Sequence, residues 1–377
     1  MKKITFLLLF VPIMLLFSFN TYASDVKSDI FSALDEEINY FKENLPDFVV
    51  EYFPDDFLED DTINFSNILQ EKGFWEYILG YFFGEIDGVI KSFTSIFLLL
   101  ILSSIFSSIS GTLKNESVKR LFSICITLCI ALTVFNVCIN ISSFVSSYLK
   151  ALCRVVNSFL PLMSVMSIMC GNITSAAVAS TSMALFISIV ESFLIVSLLP
   201  LVKICLAFAC IKPIGGNDFS GLTKTVKTAF TSITIFTMTV FMFIFSLKNI
   251  ISQGADTLSI KTAKFAISSF VPIVGASIND ALRTVSSSLS IIKNSCGVIA
   301  IIVILLIIIP VIINLLLNKI SFGFLSSVSK LIGLNSEGEI LSEANSVCTF
   351  LLTLVACASV LFIFGLTIFI QSSVGIS

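Results

Sequence analysis

The sequence predicts an all-α, polytopic helical membrane protein, and three observations carry that prediction. Hydrophobic residues make up 56% of the 377 and charged residues only 12%, with a mean hydropathy of +1.02. No water-soluble fold of this length hides so much apolar surface, so the bilayer must be its solvent. Six apolar stretches reach or approach the roughly 20 residues that a helix needs to cross hydrocarbon. Two shorter apolar stretches, each centred on a proline, copy one another.

The chain opens like a signal peptide. Lys2 and Lys3 form a charged start, Ile4 to Phe17 an apolar core, and Thr21-Tyr22-Ala23 a cleavage site before Ser24. Residues 1–23 are therefore expected to direct export; an uncleaved anchor helix is the alternative, and it exports the next segment equally well. Residues 24–88 then form a small acidic helical head. Residues 25–88 hold 17 acidic and 3 basic side chains, whereas residues 89–377 hold 8 and 17. The net charge of −3 thus conceals an acidic head on a mildly basic membrane body.

In the head, Ser28 to Leu45 reads as an amphipathic helix. Ile30, Leu34, Ile38 and Phe41 gather on one face, and a domain this small cannot bury that stripe alone, so the face is a candidate partner surface. Pro46 ends the helix, and a further one is expected over Phe65 to Tyr81. Gly80, Gly84 and Gly88 follow at spacing four, suiting either close helix approach in lipid or a hinge.

Residues 89–377 are the membrane domain. Its expected spans are Val89–Ser110, Leu121–Tyr148, Ala176–Leu199, Val226–Leu247, Cys296–Asn318 and Ser346–Ile370. The two short segments are Val155–Cys170, around Pro161, and Phe265–Ile278, around Pro272. They carry Ser158-Phe159-Leu160-Pro161-Leu162 and Ser269-Phe270-Val271-Pro272-Ile273. Pro200 and Pro310 follow at similar distances, and Phe243-Ile244-Phe245 is echoed by Phe362-Ile363-Phe364. This indicates two tandem membrane repeats, about 121–225 and 226–345, each with a re-entrant Pro-centred segment. A full crossing of weak hydropathy is the alternative for each segment. Export of the head and the basic loop at Lys114, Lys119 and Arg120 together orient the first span outside to inside.

Enzyme chemistry fails on inventory. There is no histidine in the chain, the ten cysteines begin only at Cys125, and no carboxylate lies near Cys125 and Cys129. No catalytic residue, metal site or cofactor is expected. What remains is polar chemistry within apolar surroundings. Glu191 sits inside a long apolar span, where an acid faces either a bundle interior or water. Asp280 and Arg283 open a Ser-rich stretch suited to a water-lined wall, or to a helix lying flat at the interface. Pro161, Glu191, Pro272, Asp280 and Arg283 are the candidate pore or re-entrant residues.

The head with Leu45-Pro46-Asp47 and Phe53-Pro54, and above all the run from Lys264 through Pro272 and Asn279-Asp280-Ala281 to Asn294, resemble the stage III sporulation protein AE family. The resemblance implies a multi-pass protein of the mother-cell membrane around the forespore, with its N-terminal head outside the cytoplasm. It implies partners from the same sporulation operon, including ring-forming subunits and a predicted ATPase, and no nucleic acid. The expected function is a membrane subunit of a sporulation channel or export-type complex linking mother cell and forespore. A scaffold that assembles the complex without forming a pore, and a stand-alone secondary transporter, are the alternatives.

Overall fold

A computed structural model of the chain describes residues 38–40, 43, 72–110, 116–211, 220–270 and 275–371. Among them the architecture is entirely helical. Helix α1 spans Lys72–Ser110, α2 Glu116–Met169 and α3 Ile173–Ile189. A π-helical segment, Val190–Ile195, joins α3 to α4, Val196–Ile211. Helices α5 (Ser220–Phe270), α6 (Gly275–Leu331) and α7 (Asn335–Gln371) complete the order.

Six segments among the described residues are long and apolar enough to cross a membrane: Leu79–Ile109, Ser117–Met169, Ile173–Ser192, Lys224–Ser259, Cys296–Leu331 and Asn335–Ile370. They coincide with the six expected from hydropathy, so the protein is an all-α, multi-pass membrane protein. The helices overrun the apolar stretches that announced them. At 1.5 Å per residue, the 54 residues of α2 extend about 80 Å, far beyond a hydrocarbon layer of roughly 30 Å.

Two of the connections are tight. After α2, Gly171 takes φ 86°, with Asn172 N–H bonded to Ser167 O at 2.9 Å. After α6, Gly333 takes φ 84°, with Leu334 N–H bonded to Ser329 O at 2.9 Å. Both are left-handed glycine caps that reverse the chain within three residues, as only glycine does without strain.

The relative registers can be read from side-chain contacts. Thr127 and Tyr148 of α2 meet Glu337 and Ser359 of α7, at sequence offsets of 210 and 211, so α2 and α7 run parallel. Helix α3 runs antiparallel to α7. Phe186 packs on Phe362 with ring centroids 4.9 Å apart, and Met183 lies against Gly365. Helices α6 and α7 form an antiparallel hairpin tied at its closed end by Ser326 Oγ donating to Gly338 O at 2.8 Å. The core lies where α2, α6 and α7 face one another, around Leu149, Val303, Leu351 and Val355, all fully buried.

Three expectations change. Val155–Cys170 is not a separate short segment; it is the continuation of α2, with Pro161 inside the helix. Proline lacks an N–H, so the carbonyl of Asn157 loses its helical donor, yet packing on both sides of the chain holds the helix through it. Helix α1 also runs unbroken across the expected head–membrane boundary at residue 88. Its glycines are therefore not a hinge, and a Cβ added at Gly80, Gly84 or Gly88 would meet nothing within 4 Å, so no described helix of this chain packs closely there. Finally, Ile38 is buried within the chain itself, which removes it from a partner face. Ile30, Leu34, Phe41 and Pro272 lie outside the described residues. Asp280 and Arg283 sit on α6, but their side chains are not among those described.

Candidate functional site

The outer surface of a membrane body should be apolar, and much of this one is. On α5, Phe236, Phe243, Ile250 and Ile251 are strongly exposed; on α1, Ile90, Leu98, Leu102 and Ile105 are. Helix α2 departs from this pattern. Between Asn136 and Asn157 each of its exposed side chains is polar. Asn136, Asn140, Ser143 and Ser147 make the lower part of this face, with Lys150, Arg154 and Asn157 above them. The spacing alternates four and three residues, which keeps them on one side of a helix.

The depth of this face follows from the register. At the α2–α7 offset of 211 it runs beside residues 347–368 of α7, inside the apolar span Asn335–Ile370. Its length, at 1.5 Å per residue, is about 32 Å, close to the thickness of the hydrocarbon layer. Three asparagines and two serines directed at lipid along this distance are unfavourable. Lys150 and Arg154, level with residues 361 and 365 of α7, add a cost that is about 3 kcal/mol per charge at a span centre and smaller towards its end. The face therefore meets water or another polar protein surface.

At the lower part of the face a pocket opens between α1, α2 and α6. It has a volume of about 260 Å³, and its polar lining is Glu85, Ser92, Asn140, Asn314 and Asn318. Asn314 Nδ2 donates to Glu85 Oε2, and Asn318 Nδ2 donates to Asn314 O at 2.9 Å and Oδ1 at 3.2 Å. Asn314 lies near the midpoint of the span Cys296–Leu331.

Glu191 lies in the π segment, and it is exposed. Continuing the α3–α7 register puts it level with Cys357, at mid-span. Of the two surroundings expected for an acid there, a bundle interior or water, its exposure on its own chain agrees with water or a partner surface. A π segment inserts an extra residue into the helical turn and re-aims the side chains around it. Pro200 then removes a further helical donor within α4.

Two buried charged groups near the ends of spans are tied off. Glu337 accepts from Ser103 Oγ at 3.2 Å and Thr127 Oγ1 at 2.8 Å, joining α1, α2 and α7. Lys227 of α5 pairs with Glu343 of α7 and donates to Ser346 Oγ at 2.7 Å. These are satisfied buried groups that lock helices together, and they are unlike the unmatched face of α2.

Sequence reasoning missed the α2 face and the Glu85 pocket. The signal is present: Asn136, Asn140, Ser143, Ser147, Lys150, Arg154 and Asn157 recur at alternating intervals of four and three. It stays hidden when the helical period is sought only in apolar residues. Hydropathy starts the first span at Val89, which leaves Glu85 with the acidic head.

Fold and surface define a polytopic α-helical membrane protein with a polar face at membrane depth. Residues 55–373 match the model of the family described as Stage III sporulation protein AE, so the chain belongs to that family. It is also 22% identical over 135 residues to the Stage III sporulation protein AE of Bacillus subtilis (strain 168). That match covers 36% of this chain and 34% of the relative, about a third of the curated protein's length. No solved structure matches. The family places the protein in sporulation.

Proposed function

We propose that the protein is a membrane subunit of a sporulation channel or export-type complex linking mother cell and forespore, in which the α2 face lines a wet path. One observation carries the reading. A 32 Å face built from Asn, Ser, Lys and Arg crosses the depth at which another helix of the bundle, α5, shows phenylalanine and isoleucine. Ordinary anchoring spans have no use for such a face, and a scaffold would not retain it against lipid. The protein supplies positioning and passage and no catalysis. Its partners in this reading are the ring-forming subunits and ATPase of the same operon, in the mother-cell membrane, with the head outside the cytoplasm.

The test is cysteine accessibility in sporulating cells. Ser147→Cys and Asn157→Cys should react with a membrane-impermeant thiol reagent, whereas Phe236→Cys on the apolar face of α5 should not. A Ser147→Cys chain that accumulates normally but stays unlabelled would sink the wet path.

A further inference from the structure

We propose that the pocket between α1, α2 and α6 is a binding site for one small monovalent cation, with Glu85 as its charged ligand. Through Asn314 the site lies level with the middle of the span Cys296–Leu331, and Glu85 is its one carboxylate among the described residues. No lysine or arginine is among the described residues that line it. An acid at this depth is stable only when its charge is met, and two neutral groups, the Asn314 amide and the Tyr81 hydroxyl, meet it in part.

The rest of the lining supplies hard oxygen ligands. Asn318 fixes the Asn314 amide by donating to both its backbone carbonyl and Oδ1, which in turn aims Asn314 Nδ2 at Glu85 Oε2. The Glu85 carboxylate also hydrogen-bonds with Tyr81, and Ser92 Oγ donates to Gly88 O at 3.1 Å, which leaves the hydroxyl lone pairs to accept; Asn140 completes the polar lining. Carboxylate, hydroxyl and amide oxygens, with no thiol or imidazole among the lining residues, suit an alkali cation and disfavour soft metals. A single carboxylate is too little charge for a dehydrated divalent ion, and groups of three or more His, Cys, Asp or Glu that could hold a metal are absent among the described residues. The volume of about 260 Å³ accommodates an ion with several waters at about 30 Å³ each.

Because Asn140 belongs both to the pocket and to the polar face of α2, the inference rests on the wet-path reading for its entry route. A bound cation there would let an ion gradient bias the packing of α1 against α2 and α6, which offers the complex an energy input separate from nucleotide hydrolysis.

Radioactive sodium, and rubidium as a tracer for potassium, should bind the detergent-purified full-length protein saturably, with choline holding the ionic strength constant. Glu85→Gln should weaken binding by at least about tenfold. Gly88→Leu should do the same by filling the pocket; a Cβ there meets nothing within 4 Å, so the helix keeps its packing. Absence of saturable binding of either ion overturns the site. So does equal binding in Glu85→Gln and Gly88→Leu, and so does a site that takes only calcium. Failure of the wet path is read separately, as an unlabelled Ser147→Cys in cells.

Discussion

Asp256 of α5 caps a helix to which it does not belong: its carboxylate accepts the backbone N–H of Ser175 at 2.8 Å and of Thr174 at 2.9 Å, in the first turn of α3. Asn172, at the N-cap position, makes no side-chain capping bond. The acid therefore does from 81 residues away what a local residue usually does, and its charge complements the positive end of the helix dipole. Asp256→Ala should destabilise the protein by about 1–2 kcal/mol, while Asp256→Asn should lose less. Thermal unfolding in detergent reads both, and equal midpoints for Asp256→Ala and the parent would refute the cap.

Glu191 offers a second test. If its outward position meets water or a partner, Glu191→Gln should accumulate normally yet lower spore yield. Glu191→Leu should accumulate at least as well and sporulate no better, since lipid would welcome leucine but a wet or polar contact would not. Normal spore yield from both variants would remove Glu191 from function.

Close packing of the hairpin ends predicts an epistatic pair. A Cβ at Gly297 of α6 would run into the side chain of Ile370 on α7. Gly297→Ala should cost about 1–3 kcal/mol through overpacking. Combining it with Ile370→Ala should recover part of that loss, because the second change vacates the same space. Additive losses in a double-mutant cycle would show that the two sites are not in contact.

Lys293 precedes the span Cys296–Leu331 and is fully buried, with its ammonium 5.9 Å from the ring centre of Phe369. Burial lowers its pKa from 10.5 to about 8, and the charge it feels from Cys170 opposes that shift. The folded protein thus holds this proton less tightly than the unfolded chain. Stability should rise as pH climbs from about 8 to 10.5, with no such slope below pH 8. Lys293→Met should flatten that window. An unchanged pH profile in Lys293→Met would assign the slope to another group.

The membrane class and the six spans are legible because hydropathy reports burial in lipid directly. Helix lengths are not, because the ends of α2 and α5 leave the apolar stretch while keeping helical bonding. Pro161 reads as a break; in sequence a proline marks a lost donor, and nothing there reveals that packed neighbours carry the helix through it. Glu337 and Lys227 are inconspicuous, since their partners Thr127 and Glu343 are 210 and 116 residues distant. The polar face of α2 is fully written in Asn136 to Asn157, and it becomes meaningful only once the register to α7 gives it a depth.

That register also has a consequence for biogenesis. Ser103 and Thr127 must wait for Glu337, and Tyr148 for Ser359, through more than 200 residues of further synthesis. At 5–20 residues per second this is on the order of 10–40 s during which α1 and α2 are in the membrane without their last neighbour. Their polar side chains need a temporary host for that interval, so a chain truncated before α7 should be held by insertion factors or degraded. Completion of α7 is the step that closes the bundle.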